Sequence, residues 1–395
     1  MGVNIVLDGG SDGAGDSADD SYTNVERWVG SDLGDGFAGS DANEEFHGGK
    51  GNDTALGGGG DDVFRGGAGI DRLYGEAGDD QLYGGAGDDY IDGGAGADLI
   101  DDGTGYDTVS YASATSDVYV VLYRYGIDED SQPDEIETLP DNYSETDNIA
   151  DLVGEEFETH DAGGDRLISI EAVIGSDYDD VFVANIDAEV IDGGDGYDWV
   201  SYEYSLHGVV IDTRSTDADG YMTMRAIETA YVEGDDNTIH SYERGDKLKG
   251  IEVYAGTSYD DVFYGSSGDF DYLGGDGDDR FISGTGDDYF LGGFGDDTFV
   301  VTLSDGSTDI IADFIQGEDV IDFTIAPAPA SAVSTLAGLY SALGVTVSQV
   351  TIQVDGESEI STIFKNAANE TVLKLEDFDE TLTLDDFTLN GTDIV

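Results

Sequence analysis

The stretch GGAGIDRLY GEAGDDQLY GGAGDDYID GGAGADLID, from Gly66 to Asp101 and divided every nine residues, decides how this chain is read. A glycine opens each unit, the sixth position is Asp71, Asp80, Asp89 or Asp98, and the eighth is Leu73, Leu82, Ile91 or Ile100. The register runs from Gly30 to Asp102 without a slip. It adds Asp35, Glu44, Asp53, Asp62 and Asp107 at position six, and Phe37, Phe46, Ala55, Phe64 and Val109 at position eight. Repetition at a fixed period decides architecture ahead of local propensity.

Glycines at positions one, two and four supply turn conformations that other residues resist. The residues around position eight then run extended, with that side chain inward and its neighbours outward. Stacked units predict an all-β fold, a parallel β-roll or β-solenoid with two units per coil. One inward apolar side chain per unit is too little to offset the entropy of ordering the whole unit. The acids indicate what else holds it. Turns stacked one coil apart bring together a carboxylate from each of two units and several backbone carbonyls, an all-oxygen cage for a hard cation. Calcium suits it better than magnesium, which resists dehydration and wants stricter octahedral geometry. Binding absent from the unfolded chain becomes folding free energy.

The spacing returns twice. From Gly175 it places Asp180, Glu189 and Asp198 sixth and Phe182, Ile191 and Val200 eighth. From Gly256 to Val300 it places Asp261, Asp279, Asp288 and Asp297 sixth, and Phe263, Tyr272, Phe281, Phe290 and Phe299 eighth; Phe270 stands where an acid belongs.

These units resemble the hemolysin-type, or RTX, nonapeptide GGxGxDxUx, in which U is a large apolar residue; GGAGIDRLY, GGAGDDYID and GGDGDDRFI match at every specified position. The resemblance implies a β-roll that folds on binding several Ca²⁺ ions outside the cell. It carries Asp53, Asp62, Asp71, Asp80, Asp89, Asp98, Asp107, Asp180, Asp198, Asp261, Asp279, Asp288 and Asp297 over as side-chain ligands. The units GSDLGDGFA and GSDANEEFH, from Gly30 and Gly39, lack the double glycine, so Asp35 and Glu44 are left out of that set.

Composition agrees. Among 395 residues there are 89 acids against 14 Lys plus Arg, a net charge of -75, which opposes compaction unless cations neutralise it and disfavours nucleic acid and anionic membranes as partners. With 39% hydrophobic residues and 23 tyrosines there is material to bury, unlike in a disordered acidic chain. Cysteine is absent, which leaves oxygen as the abundant ligand. No basic n-region opens MGVNIVLDGGSDG, and no stretch approaches the length of a transmembrane segment.

The segments between blocks repeat as well. GYDTVSY at Gly105 returns as GYDWVSY at Gly196, GGDRLISIEAVIGS at Gly163 as RGDKLKGIEVYAGTS at Arg244, and NVERWVGS at Asn24 is a shorter copy. The expected organisation is a partial β module (1–29), a first block (30–110), a β connector with an acidic loop (111–174), a second block (175–201), a connector (202–255), a third block (256–300) and a C-terminal cap (301–395). The acidic loop, Arg124 to Asp161, reads as a solvated face. NIVLD aligns with the strand that follows GYDxVSY, so the chain starts in mid-module, and an open strand edge there is able to accept another chain.

Beyond Val300, STDIIADFIQGEDVIDF resembles the segment that closes RTX blocks in secreted, serralysin-like proteins. SAVSTLAGLYSAL, from Ser331, has helical spacing, and VTIQV, TVLKL and LTLDDFTL read as strands. The terminal DIV resembles a type I secretion signal, which implies a type I export machinery as partner. Ninth positions in the third block are apolar (Leu273, Ile282, Leu291, Val300) and need a cover, expected from the C-terminal region.

No catalytic constellation stands out. GGSDG at Gly9 fits GxSxG but lacks a following helical pattern, and His47, His160, His207 and His240 lack HExxH spacing. The sequence therefore reads as a non-enzymatic, secreted or cell-surface bacterial protein: a surface-layer, matrix, filament or adhesin component that forms a homo-oligomer or polymer with calcium. The alternative is the calcium-dependent C-terminal portion of a secreted enzyme (protease, lipase or polysaccharide-modifying) whose catalytic domain lies outside this chain.

Overall fold

The computed structural model describes residues 4–6, 27–122, 135–137, 165–168, 170–184, 190–203, 205, 207–223, 246–302, 306–323, 336–354, 357–376, 378, 382–383 and 386–389. Most of the acidic loop, the GGSDG turn, Glu189, His160, His240 and the terminal DIV lie outside them. The chain divides into two compact units, Met1–Asp198 and Trp199–Val395.

In the first unit, one parallel sheet runs through Asn4–Val6, Gly36–Ala38, Thr54–Leu56, Arg72–Ala77, Tyr90–Ala95, Thr108–Ser110, Ala172–Ile174 and Val190–Asp192. A second runs through Arg27–Val29, Glu45–Lys50, Val63–Ala68, Gln81–Ala86, Leu99–Thr104 and Arg166–Ile168, with Glu135–Glu137 added antiparallel. Phe64 pairs with Leu82 and Leu73 with Ile91, so successive nonapeptides alternate between sheets and each coil takes two, as expected. The alternation turns every eighth side chain inward: Phe37 through Val109 are at most 2% exposed.

Strands such as Gly36–Ala38 and Thr54–Leu56 have three residues around position eight, and others run to six. Val63–Ala68 and Gln81–Ala86 continue through the next unit's glycines, with Gly67 opposite Gly85. Coils approach so closely there that a Cβ on Gly67 (φ 114°) would lie 2.3 Å from the Gly49 carbonyl oxygen, and one on Gly87 (φ 135°) 1.8 Å from that of Gly69. At Gly67 and Gly87 glycine serves for both reasons, the positive φ and the absence of room, although Glu76 holds position two of its own unit with φ 73°.

The connector is woven into the same sheets. Leu167 pairs with Ile100 and Val173 with Val109, so GGDRLISIEAVI resumes both stacks after the excursion from Tyr111. Within that excursion Tyr119–Val121 pairs with Val181–Val183.

The second unit repeats the plan. One sheet runs parallel through Trp199–Ser201, Val253–Ala255, Asp271–Asp276, Tyr289–Phe294, Asp309–Ile311 and Thr371–Leu375, then antiparallel through Glu357–Lys365 and Thr346–Val354. The other runs through Val210–Asp212, Val262–Tyr264, Arg280–Ile282, Thr298–Val301, Val320–Phe323 and Phe387–Leu389. Its core is aromatic, with Phe263, Phe281 and Phe299 stacked at 4.8 and 5.1 Å between ring centres. The C-terminal strands extend both sheets, and Phe323, Phe364, Phe387 and Tyr340, from the helix Leu336–Leu343, form one aromatic cluster beyond the last nonapeptide. Of the apolar ninth positions, Leu273 is 7% exposed and packs in a cluster with Val253, Ala255, Trp199 and Leu291.

Candidate metal centre

Each sixth-position carboxylate stands at the start of a strand, in the turn that joins the two sheets, and the eighteen-residue pairing stacks these turns into two files. Within a file the Oδ1 atom of one aspartate accepts the backbone N–H of the sixth residue one coil earlier. Asp35 donates to Asp53 (2.7 Å), Asp53 to Asp71 (2.8 Å), Asp71 to Asp89 (2.8 Å) and Asp89 to Asp107 (2.7 Å). Glu44, Asp62, Asp80 and Asp98 make the other file. Asp180 accepts from Val118 and donates to Asp198 (2.8 Å), while Asp261, Asp279 and Asp297 repeat the arrangement in the second unit. Asp288 accepts from Phe270 at 3.2 Å. All thirteen sequence-predicted aspartates are buried.

The second oxygen separates them into classes. Oδ2 of Asp53, Asp62, Asp71, Asp80, Asp89, Asp98, Asp107, Asp279 and Asp297 is buried with no hydrogen-bond donor. Such an atom is costly unless something positive meets it. In Asp180 and Asp261 that oxygen takes the N–H of Ser176 or Thr257, both at 2.6 Å, and in Asp288 that of Gly284 at 3.1 Å. The Ser176 and Thr257 hydroxyls also meet Oδ1. Asp35 and Glu44 are held in the same way by Ser31 and Ser40. A hydroxyl residue at position two (Ser31, Ser40, Ser176, Thr257) satisfies the carboxylate from within its own turn, whereas Glu76 at that position leaves Asp80 open and Gly284 satisfies Asp288 through its N–H alone.

The open oxygens of Asp53, Asp62, Asp80, Asp89 and Asp279 each face a small cradle. A Cβ on Gly75 would lie 2.2 Å from Asp80 Oδ2 and 2.4 Å from the Gly93 carbonyl oxygen; on Gly274 it would lie 2.0 Å from Asp279 Oδ2 and 2.4 Å from that of Gly292. The first glycine therefore leaves a space rimmed by a carboxylate and by a carbonyl of the next coil. Among the described residues no three carboxylate or imidazole side chains converge on one point, so a cation between turns draws on backbone carbonyls as well. An all-oxygen rim with an unsatisfied carboxylate fits a hard divalent ion such as Ca²⁺.

Burial makes the missing counter-charge visible. It pushes Asp53, Asp80, Asp89, Asp107 and Asp297 up to about 6, Asp62, Asp98, Asp261 and Asp288 to about 7, and Asp279 to about 9. The donated backbone N–H partly offsets this, and in most of them neighbouring carboxylates add to the rise.

Sequence reasoning missed several members of the files. Asp165 accepts the N–H of Asp98 (2.9 Å) and Glu171 that of Asp107 (3.0 Å); Asp309 and Asp319 do the same for Asp288 and Asp297. All four keep the local spelling of acid, any residue, apolar residue, which marks them even though the nine-residue count has lapsed. The reason for the repeated GYDxVSY motif was also missed. Its last tyrosine is buried and its hydroxyl meets the aspartate of the echoed segment: Tyr111 with Asp165 Oδ2 (3.2 Å) and Tyr202 with Asp246 Oδ2 (2.7 Å). Fifth positions work in the opposite direction to sixth ones. The exposed Asp61, Asp79 and Asp88 accept backbone N–H groups from one coil later, at Asp79, Ala97 and Tyr106.

A stack of coils stapled both ways by carboxylates, with open oxygen-lined cradles between turns, defines a cation-binding β-roll repeat protein. The family model for the RTX calcium-binding nonapeptide repeat matches residues 38–73, 65–100, 74–109, 170–200, 249–269 and 273–301. The chain carries RTX repeats, and calcium is the ion for which that family is described. No curated protein matches the chain.

Proposed function

We propose that the protein is an exported, non-catalytic structural component whose β-roll becomes rigid on binding calcium and then assembles with further copies of itself outside the cell. The observation that carries this reading is the uninterrupted series of open carboxylate oxygens from Asp53 to Asp107. Calcium would supply the positive charge that each cradle lacks, held by the sixth-position carboxylates and by carbonyls of adjacent turns. About a dozen ions would offset about 24 charges and leave the surface strongly acidic. Exposed fifth-position acids, Asp61, Asp79 and Asp88 in one unit and Asp260, Asp269, Asp278, Asp287 and Asp296 in the other, recur along the coils as a regular array. Such an array offers divalent ions a way to bridge chains, in a surface layer, a matrix or a filament. Among the described residues no helix is long and apolar enough to cross a membrane.

Light scattering and electron microscopy of the chain with and without calcium test the assembly. Ordered polymers should appear with calcium and vanish with chelator. Monomers alone at high calcium and high protein concentration would contradict a structural role and leave the secreted-enzyme reading as the better one.

A further inference from the structure

The nonapeptide register contains a substitution in the first block that adds a charge the calcium reading does not absorb. In the unit DGTGYDTVS, Asp102 occupies position one, where Gly48, Gly57, Gly66, Gly75, Gly84 and Gly93 stand in the units before it. In those units a Cβ would intrude on the cradle itself, 2.1 to 2.7 Å from the sixth-position Oδ2. Asp102 has a Cβ there, and a carboxylate beyond it.

That carboxylate is fully buried at 0% exposure, and neither of its oxygens has a hydrogen-bond partner. Asp107 Oδ2, in the same turn, is also buried and unpartnered. The charges that act on Asp102 are all negative: Asp107 most strongly, then Asp89, Glu171 and Asp101. Its backbone oxygen faces the cradle below, since a Cβ on Gly84 would lie 2.7 Å from both that oxygen and Asp89 Oδ2. Packing does not explain an aspartate here. Glycine fills this position in the six preceding units, and an uncompensated buried carboxylate among acids is among the most expensive features a fold can carry.

We propose that Asp102 and Asp107 form a divalent-cation site with two carboxylates on one turn, closing the first block and binding more tightly than the nonapeptide cradles below it. The inference rests on the calcium reading of the repeats and adds to it a ligand that the nonapeptide pattern forbids. Affinity in oxygen sites follows the number of charged ligands. The turn also lies next to the point at which the chain leaves the stack at Tyr111 and returns at Asp165. A tight ion here would pin the last regular coil before that excursion, and Asp102 would give it two free oxygens where a cradle glycine gives none.

Calcium titration of the full chain, by calorimetry and by competition with a chromophoric chelator, tests this with D102G and D102N. The wild-type isotherm should contain a tightest class of sites that both variants weaken by at least about tenfold, with the remaining classes and the circular dichroism at saturating calcium unchanged. Isotherms for D102G that superimpose on the wild type, or are tighter, would overturn the proposal while leaving the repeat sites intact. So would a D102N isotherm matching the wild type, because the shape and not the charge of Asp102 would then matter. A wild-type chain that binds no calcium would overturn the repeat reading and this site together.

Discussion

The first and third nonapeptide blocks share one backbone plan and hold it together differently. Between Leu73 and Ile100 the first block buries only aliphatic side chains in its core, and from Asp53 to Asp107 every sixth-position aspartate has an open oxygen. The third block stacks Phe263, Phe281 and Phe299 in one file and Tyr272 and Phe290 in the other, the latter continued by Tyr254 of the connector, at 4.8 to 5.8 Å between ring centres. Two of its four aspartates, Asp261 and Asp288, have the second oxygen satisfied from within their own turns. Aromatic pairs add about 0.5–1.5 kcal/mol beyond the area they bury. The lesson is a trade within one fold. The expectation is that the aliphatic coils from Leu73 to Ile100 depend on cations more than the third block does, with Phe37, Phe46 and Phe64 giving the start of the first block an aromatic core of its own.

Removing ligands from the lean block should have the largest effect. Asp80→Ala with Asp89→Ala takes one carboxylate from each file, and is expected to raise the calcium concentration at the folding midpoint of the first unit at least about tenfold. Far-ultraviolet circular dichroism during calcium titration checks this; an unchanged midpoint would mean that the ligands are misassigned. The paired change Asp261→Ala with Asp288→Ala should shift the midpoint less.

Acid provides the next contrast. In the metal-free fold Asp53 and Asp80 are pushed up to about 6 and Asp62 and Asp98 to about 7 from an ordinary 3.8, so the folded chain holds more protons than the unfolded one across that interval. Their contribution favours the metal-free fold below about pH 4 and is lost as the pH rises through 6 to 7. Protonation competes with the ion, so calcium affinity should rise over the same interval. Structure in chelator that is greater at neutral pH than at pH 4 would contradict the assignment.

Core truncations sharpen the comparison further. Phe281→Ala should cost about 3–5 kcal/mol and Leu82→Ala about 2–5 kcal/mol by denaturant unfolding in saturating calcium. On chelation, the part of the third-block stability that survives should depend strongly on Phe281. The smallest effect is expected from Tyr111→Phe, which leaves Asp165 Oδ2 without its hydroxyl donor and should cost about 1–3 kcal/mol. A change below a few tenths would show that the Tyr111–Asp165 contact does not contribute.

The period exposed most of this architecture. Because the count of nine never slips between Gly30 and Asp102, the inward residues, the two-unit coil and the file of aspartates were all legible. Asp165 and Glu171 were harder to see, since their partners Asp98 and Asp107 lie 67 and 64 residues away across the connector. Nor does any local pattern reveal that Tyr111 reaches an aspartate 54 residues downstream. Part of the distinction between open and satisfied carboxylates was present in the sequence, as Ser31, Ser40, Ser176 and Thr257 at position two, though Gly284 and Glu76 at that position do not follow it. It acquires meaning only when the N–H of that residue is seen to meet the carboxylate of its own turn.

The most direct test is hydrogen exchange of the intact chain, followed by mass spectrometry before and after exhaustive EGTA treatment at neutral pH. The amides between Gly48 and Asp107 should be protected with calcium and exchange freely without it, ahead of those between Gly256 and Val300. Protection of the first block that survives chelation unchanged would contradict the claim that cations hold its coils together.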